Sequence, residues 1–111
     1  MGGLQVQNLK GEWIQAPPIS GTLIINVADL LSRWTDGIYR STPHRVVNTS
    51  GRDRLSLVLA YDPNPETMID AREIFGDGYT PKDKPVSCGD YLIERFERAF
   101  PYRREDGVHG R

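Results

Sequence analysis

The sequence predicts a mainly β chain of one domain, with a short helix after the third strand and a second helix near the C-terminus. Three observations carry this. Residues Arg54 to Tyr61 alternate, with Leu55, Leu57, Leu59 and Tyr61 on one side and Arg54, Ser56, Val58 and Ala60 on the other, which is the period of a strand. Thr22 to Val27 is a continuous apolar run opened by Gly21, the pattern of a strand covered on both faces. Leu4 to Asn8 and Glu12 to Ala16 flank Lys10-Gly11 and read as a hairpin. At 111 residues the chain is long enough for one modest core.

Taken in order, Pro17-Pro18 ends the hairpin, because proline removes a ladder donor. After the apolar run, Leu30, Leu31 and Trp34 fall at helical spacing, with Asp29 placed to cap one or two turns. Thr35-Asp36-Gly37 reads as a turn, and Pro43 biases Thr42 toward the β region and leads His44 into a strand. Asn48 to Asp53 is a turn by composition, and Asp62-Pro63-Asn64-Pro65 ends the sheet. Residues 66 to 86, rich in glycine and proline, are expected as a surface excursion. Gly89-Asp90 starts a helix from Tyr91 to Phe100 with Leu92, Phe96 and Phe100 on one stripe, stopped by Pro101. The tail from Arg103 is polar and expected to fray, with His109 solvated. Trp13, Trp34 and Tyr61 are expected at the core or its rim.

Composition narrows the function classes. With 14 basic and 15 acidic residues, net charge −1, and no basic stripe, the chain has no field for a polyanion, so nucleic acid is not the expected partner. One cysteine, Cys88, cannot form a disulfide framework and is read as an inert thiol. No apolar run approaches the length of a membrane span, and the N-terminus lacks a signal pattern. The expectation is a cytoplasmic protein with no membrane contact.

The chemistry concentrates in residues 39 to 56. If a turn spans Thr49 to Asp53, Asn48 faces Arg54, Val46 faces Ser56 and His44 faces Val58. His44, Arg54 and Ser56 then share one face of a hairpin. A neutral imidazole suits a first-row divalent metal. A guanidinium forks onto a carboxylate, and a neighbouring hydroxyl adds a third hydrogen bond. Each residue alone also has a plain reading: His44 as a structural strand residue, Arg54 as a charge at the rim of a turn, Ser56 as an ordinary strand serine.

The combined text resembles the C-terminal half of the iron(II)- and 2-oxoglutarate-dependent dioxygenases, in the group that includes isopenicillin N synthase. The matching stretches are Gly2-Gly3-Leu4-Gln5-Val6, Gly11-Glu12-Trp13-Ile14, Asn26-Val27-Ala28-Asp29-Leu30-Leu31 with Trp34-Thr35-Asp36-Gly37, Arg40 to Val46, and Arg52-Asp53-Arg54-Leu55-Ser56. The resemblance implies a partial double-stranded β-helix, a jelly roll, over 1–64, followed by a surface loop region at 65–88, a C-terminal helix at 89–101 and a polar tail at 102–111. It implies Fe(2+) and 2-oxoglutarate as cofactor and co-substrate, and a small-molecule substrate in the intact enzyme. His44 matches a metal ligand, and Arg54 and Ser56 match the pair that binds the far carboxylate of 2-oxoglutarate. The family's His-x-Asp ligand pair lies upstream of the Gly-Gly-Leu-Gln-Val strand, where this chain begins, and neither His44-Arg45-Val46 nor His109-Gly110-Arg111 replaces it. The expectation is therefore a fragment that is inactive alone and open to self-association through unpaired sheet edges. Two functions remain open: an oxidoreductase fragment, or a catalytically inactive remnant that binds a carboxylate or a partner protein.

Overall fold

The computed structural model describes residues 2–102. The expected frayed tail and His109 lie outside the described residues. The N-terminal third forms the hairpin that the alternation predicts: β1, Leu4–Gln7, pairs antiparallel with β2, Trp13–Gln15, with Gln5 opposite Gln15 and Gln7 opposite Trp13. The connection is closed by Asn8, whose side-chain Oδ1 accepts from the backbone N–H of both Lys10 and Glu12 at 2.9 Å. Gly11 turns the chain at φ +83, a conformation that favours glycine.

The next two expectations part from the structure. Residues 22 to 27 join no sheet, and Leu23 and Ile25 are about nine-tenths exposed. Helix α1, Asp29–Trp34, follows as expected, but Ala28 occupies the cap position and makes no side-chain cap. Asp29 instead pairs with Arg95. β3, His44–Val46, pairs antiparallel with β1, giving the sheet order β2-β1-β3. The expected hairpin between β3 and residues 54–61 is not formed: that segment takes no strand pairing, and Leu57 is fully exposed. Tyr61, expected at the core or rim, is 94% exposed. The physical reason is shared by both runs. An apolar strand needs a neighbour on its edge and a layer on its face, and the described residues supply neither.

Residues 66 to 86, expected as a surface loop, contain much of the core. β4, Met68–Ile69, helix α2, Arg72–Phe75, and β5, Val86–Ser87, precede helix α3, Cys88–Ala99. β4 and β5 pair antiparallel. Ile69, Ala71, Cys88 and Tyr91 are the buried apolar residues there, so α3 buries Cys88 and Tyr91 rather than the expected Leu92, Phe96 and Phe100 stripe. Ser87 caps α3 by accepting from the Asp90 N–H at 3.1 Å. Asp36, buried at the end of α1, accepts from the Tyr79 hydroxyl and from the Lys82 backbone N–H, and so ties the loop before β5 to α1. That bond also raises the Tyr79 pKa, because it favours the protonated phenol beside a carboxylate. No helix among the described residues is long and apolar enough to cross a membrane.

Candidate functional site: a metal and carboxylate site on the β1–β3 sheet

Directly opposed residues of an antiparallel pair point to the same side. Val6 opposes His44 and Ile14, and Leu4 opposes Val46. His44 therefore stands on the apolar face, with Leu4, Val6, Ile14 and Val46. The other face carries Gln5, Gln7, Gln15, Trp13 and Arg45. There the Arg45 Nε donates to Gln5 Oε1 at 2.7 Å, and its guanidinium lies 4.1 Å from the centre of the Trp13 ring. On that face the side chains thus bond to and stack on one another. The apolar face is open, with Ile14 48% and Val46 52% exposed. An imidazole on an open apolar face, rather than among the glutamines, suits a buried site completed by another layer.

His44 Nδ1 lies 3.3 Å from the Asn26 side-chain amide and 3.3 Å from the Thr42 carbonyl oxygen. Both contacts fall on one ring nitrogen, which leaves Nε2 without a hydrogen bond among the described residues. Histidine ligands ordinarily hold their second nitrogen in this way.

Arg54 reaches the same sheet from 52 residues downstream: its Nε donates to the Gly2 carbonyl oxygen at 2.9 Å. Gly2 precedes Val6, the partner of His44, by four residues, about 13 Å of strand. The terminal nitrogens of Arg54 have no partner among the described residues, so the fork is free for a carboxylate. Gly3 makes this approach possible. Its φ is +119, and a Cβ there would lie 2.7 Å from the Val47 carbonyl oxygen and 3.4 Å from Arg54 Nε. The structure brings His44 and Arg54 to one sheet, without contact between them. It does not bring Ser56 there: Ser56 is exposed in the unpaired segment. Asn26 and Gly3 were missed as site residues, although both stand inside stretches quoted for the resemblance. The signal for Gly3 was a glycine pair at a strand start, where close backbone approach is the usual cause.

The donor chemistry of His44 fits one ligand of an iron site. No group of three or more His, Cys, Asp or Glu side chains able to hold a metal occurs among the described residues. Cys88 does not contribute: it is fully buried in the α3 core, where burial raises its pKa and disfavours the thiolate.

The sequence pattern of the 2OG-Fe(II) oxygenase superfamily matches residues 1–63. The chain belongs to that superfamily. It is similar to a probable iron/ascorbate oxidoreductase of Dictyostelium discoideum, 42% identical over 114 residues that cover 91% of this chain and 31% of the relative. It is similar to a homoarginine-6-hydroxylase of Oryza sativa subsp. japonica, 39% identical over 94 residues, covering 83% of this chain and 29% of the relative. Among solved structures, a full-length Neurospora crassa protein in complex with alpha-KG and thymine matches with a TM-score of 0.70 at 30% identity, covering 89% of this chain and 32% of the Neurospora chain. The chain spans under one third of the length of each of these proteins.

Proposed function

We propose that this chain is the metal-ligand and carboxylate-binding portion of an oxygenase that couples 2-oxoglutarate decarboxylation to oxidation of a small molecule. The observation that carries the proposal is the position of His44, on the apolar face of the β1–β3 sheet with its Nδ1 occupied. Iron(II), when bound by a full ligand set, supplies oxygen activation. This chain's residues do three things. His44 presents Nε2 to the metal. Arg54 would hold the distal carboxylate of 2-oxoglutarate through its free fork, with its Nε anchored at the Gly2 carbonyl oxygen. Ser56 adds a hydroxyl donor once residues 54–61 are paired as a strand, which brings it beside Arg54.

That pairing requires strands from outside the described residues, and we read the exposed Leu55, Leu57, Leu59 and Tyr61 row as the surface they cover. The sheet order β2-β1-β3 would then be part of one wall of a jelly roll. Homoarginine, in the name of the Oryza relative, and thymine, bound in the Neurospora structure, are both small molecules. A small molecule is accordingly the substrate class proposed here.

The test is complementation. The chain is co-expressed with the portion of the Dictyostelium relative that precedes the matched segment, and carbon dioxide release from 2-oxoglutarate is measured with iron(II). Release that is lost in His44→Ala is the expected result. Release that survives His44→Ala removes the metal-ligand assignment. Binding of 2-oxoglutarate to the chain without iron, lost in Arg54→Ala, combined with no release on complementation, would establish the inactive carboxylate-binding module instead.

A further inference from the structure

The two contacts on His44 Nδ1 demand opposite protonation. The Thr42 carbonyl oxygen, at 3.3 Å, accepts only and needs a proton on Nδ1. The Asn26 Nδ2, also at 3.3 Å, donates and needs a bare Nδ1. A bare Nδ1 on a neutral ring puts the proton on Nε2, and a protonated Nε2 cannot bind a metal. One half-turn of the Asn26 amide exchanges its nitrogen for its oxygen at nearly the same position. Nδ1–H would then be shared between two acceptors, the Thr42 carbonyl and Asn26 Oδ1, and Nε2 would carry the free lone pair.

We propose that Asn26 is a positioning residue for His44, and that its amide oxygen fixes the Nδ1–H tautomer of the metal-competent state. This rests on the metal-ligand reading of His44. Asn26 is suited to the task by its placement. It sits in the segment that leads into α1, on a part of the chain separate from β3. Thr42, by contrast, is two residues from His44 and moves with it. Asn26 thus links the orientation of the ring to the position of a second segment. Asn26 is the polar side chain among Leu23-Ile24-Ile25-Asn26-Val27, and an aliphatic side chain in its place would offer Nδ1 nothing.

The experiment uses the 111-residue chain labelled with 15N at histidine, at a pH where the imidazoles are neutral. Long-range nitrogen–proton spectra report which ring nitrogen carries the proton, and His109 serves as the internal reference. The expected result is the Nδ1–H form at His44 in the wild type and in Asn26→Asp, whose carboxylate is an acceptor, and a shift toward the Nε2–H form in Asn26→Leu. A Zn2+ titration followed at the His44 ring is expected to weaken by about tenfold in Asn26→Leu and to recover in Asn26→Asp, the usual scale for loss of an outer partner of a ligand. An Asn26→Leu protein with the wild-type tautomer and the wild-type Zn2+ response would overturn the proposal. A tautomer that follows Asn26 while Zn2+ leaves His44 unmoved in every protein would support the hydrogen-bond assignment and remove the metal-ligand reading on which it rests.

Discussion

Gly3→Ala is the perturbation that most sharply probes how the site is assembled. The added Cβ would meet the Val47 carbonyl oxygen at 2.7 Å, closer than real Cβ atoms approach backbone, and the residue would be held at φ +119. The conformational strain alone costs roughly 1–3 kcal/mol. Relief requires β3 to move off β1, which breaks the Val47 N–H to Gly3 carbonyl hydrogen bond of 2.8 Å, a further contribution of about 1 kcal/mol. A local destabilisation of roughly 2–4 kcal/mol corresponds to a factor of about 30 to 700, at about 1.4 kcal/mol per decade. Amide hydrogen exchange at Val47 reads this directly, because it reports local opening and does not need a single cooperative melt. Val47 in Gly3→Ala is expected to exchange at least about 30-fold faster, or to lose protection entirely. Gly78→Ala, with nothing within 4 Å of the new Cβ, serves as the control and should leave Val47 unchanged. Val47 protection in Gly3→Ala within threefold of the wild type would refute the claim that the glycine is required by close approach of β3.

Other consequences follow from the core and the open face. Ile69→Ala, at a residue 2% exposed, should lower stability by about 2–5 kcal/mol, read as lost exchange protection in β4 and α3. Burial raises the Cys88 pKa, so the folded chain keeps a proton that the unfolded chain releases. The stability this contributes is full below the ordinary thiol value of about 8.5 and falls as pH rises through the folded value. The urea midpoint should therefore drop as pH rises above about 8.5, and less so in Cys88→Ala. Leu57 and Leu59, at 104% and 86% exposure, should drive self-association of the isolated chain. Sedimentation velocity should show the double variant Leu57→Lys, Leu59→Lys less associated than the wild type, and a monomeric wild type would contradict this.

The hairpin of β1 and β2 was legible because its signals are local: alternation, a glycine turn, and prolines beyond. Helix α1 and the strand at His44 were legible for the same reason, from Leu30, Leu31 and Trp34 and from Pro43. The pairing of β3 was not. Sequence reading joined His44 to the next strand along the chain, whereas the structure joins it to Val6, 38 residues earlier. Proximity in sequence is a strong guide to hairpins and a poor one when the partner comes from an earlier hairpin. The runs at 22–27 and 54–61 show the converse error, since apolar patterning reports what a segment would bury and not whether a layer is present to bury it. The buried Ile69 and Ala71 were hidden among glycines and prolines, and Ser87 was overlooked as the cap because the helix was started too late. Of the candidate site, His44 and Arg54 were singled out by their chemistry, and the structure brings both to the β1–β3 sheet. Asn26 was not singled out, because its contact with His44 spans 18 residues and no spacing reveals it.

The most direct test of the account is the affinity of the complemented protein, loaded with iron(II) and kept free of oxygen, for two acids measured by calorimetry. One is 2-oxoglutarate; the other is pyruvate, a 2-oxo acid with no distal carboxylate. Arg54→Ala should weaken 2-oxoglutarate by roughly 10- to 100-fold, the scale of a lost charged hydrogen bond of about 1.5–3 kcal/mol, and leave pyruvate unchanged. Equal losses for the two acids, or none for either, would contradict the assignment of Arg54 to the far carboxylate.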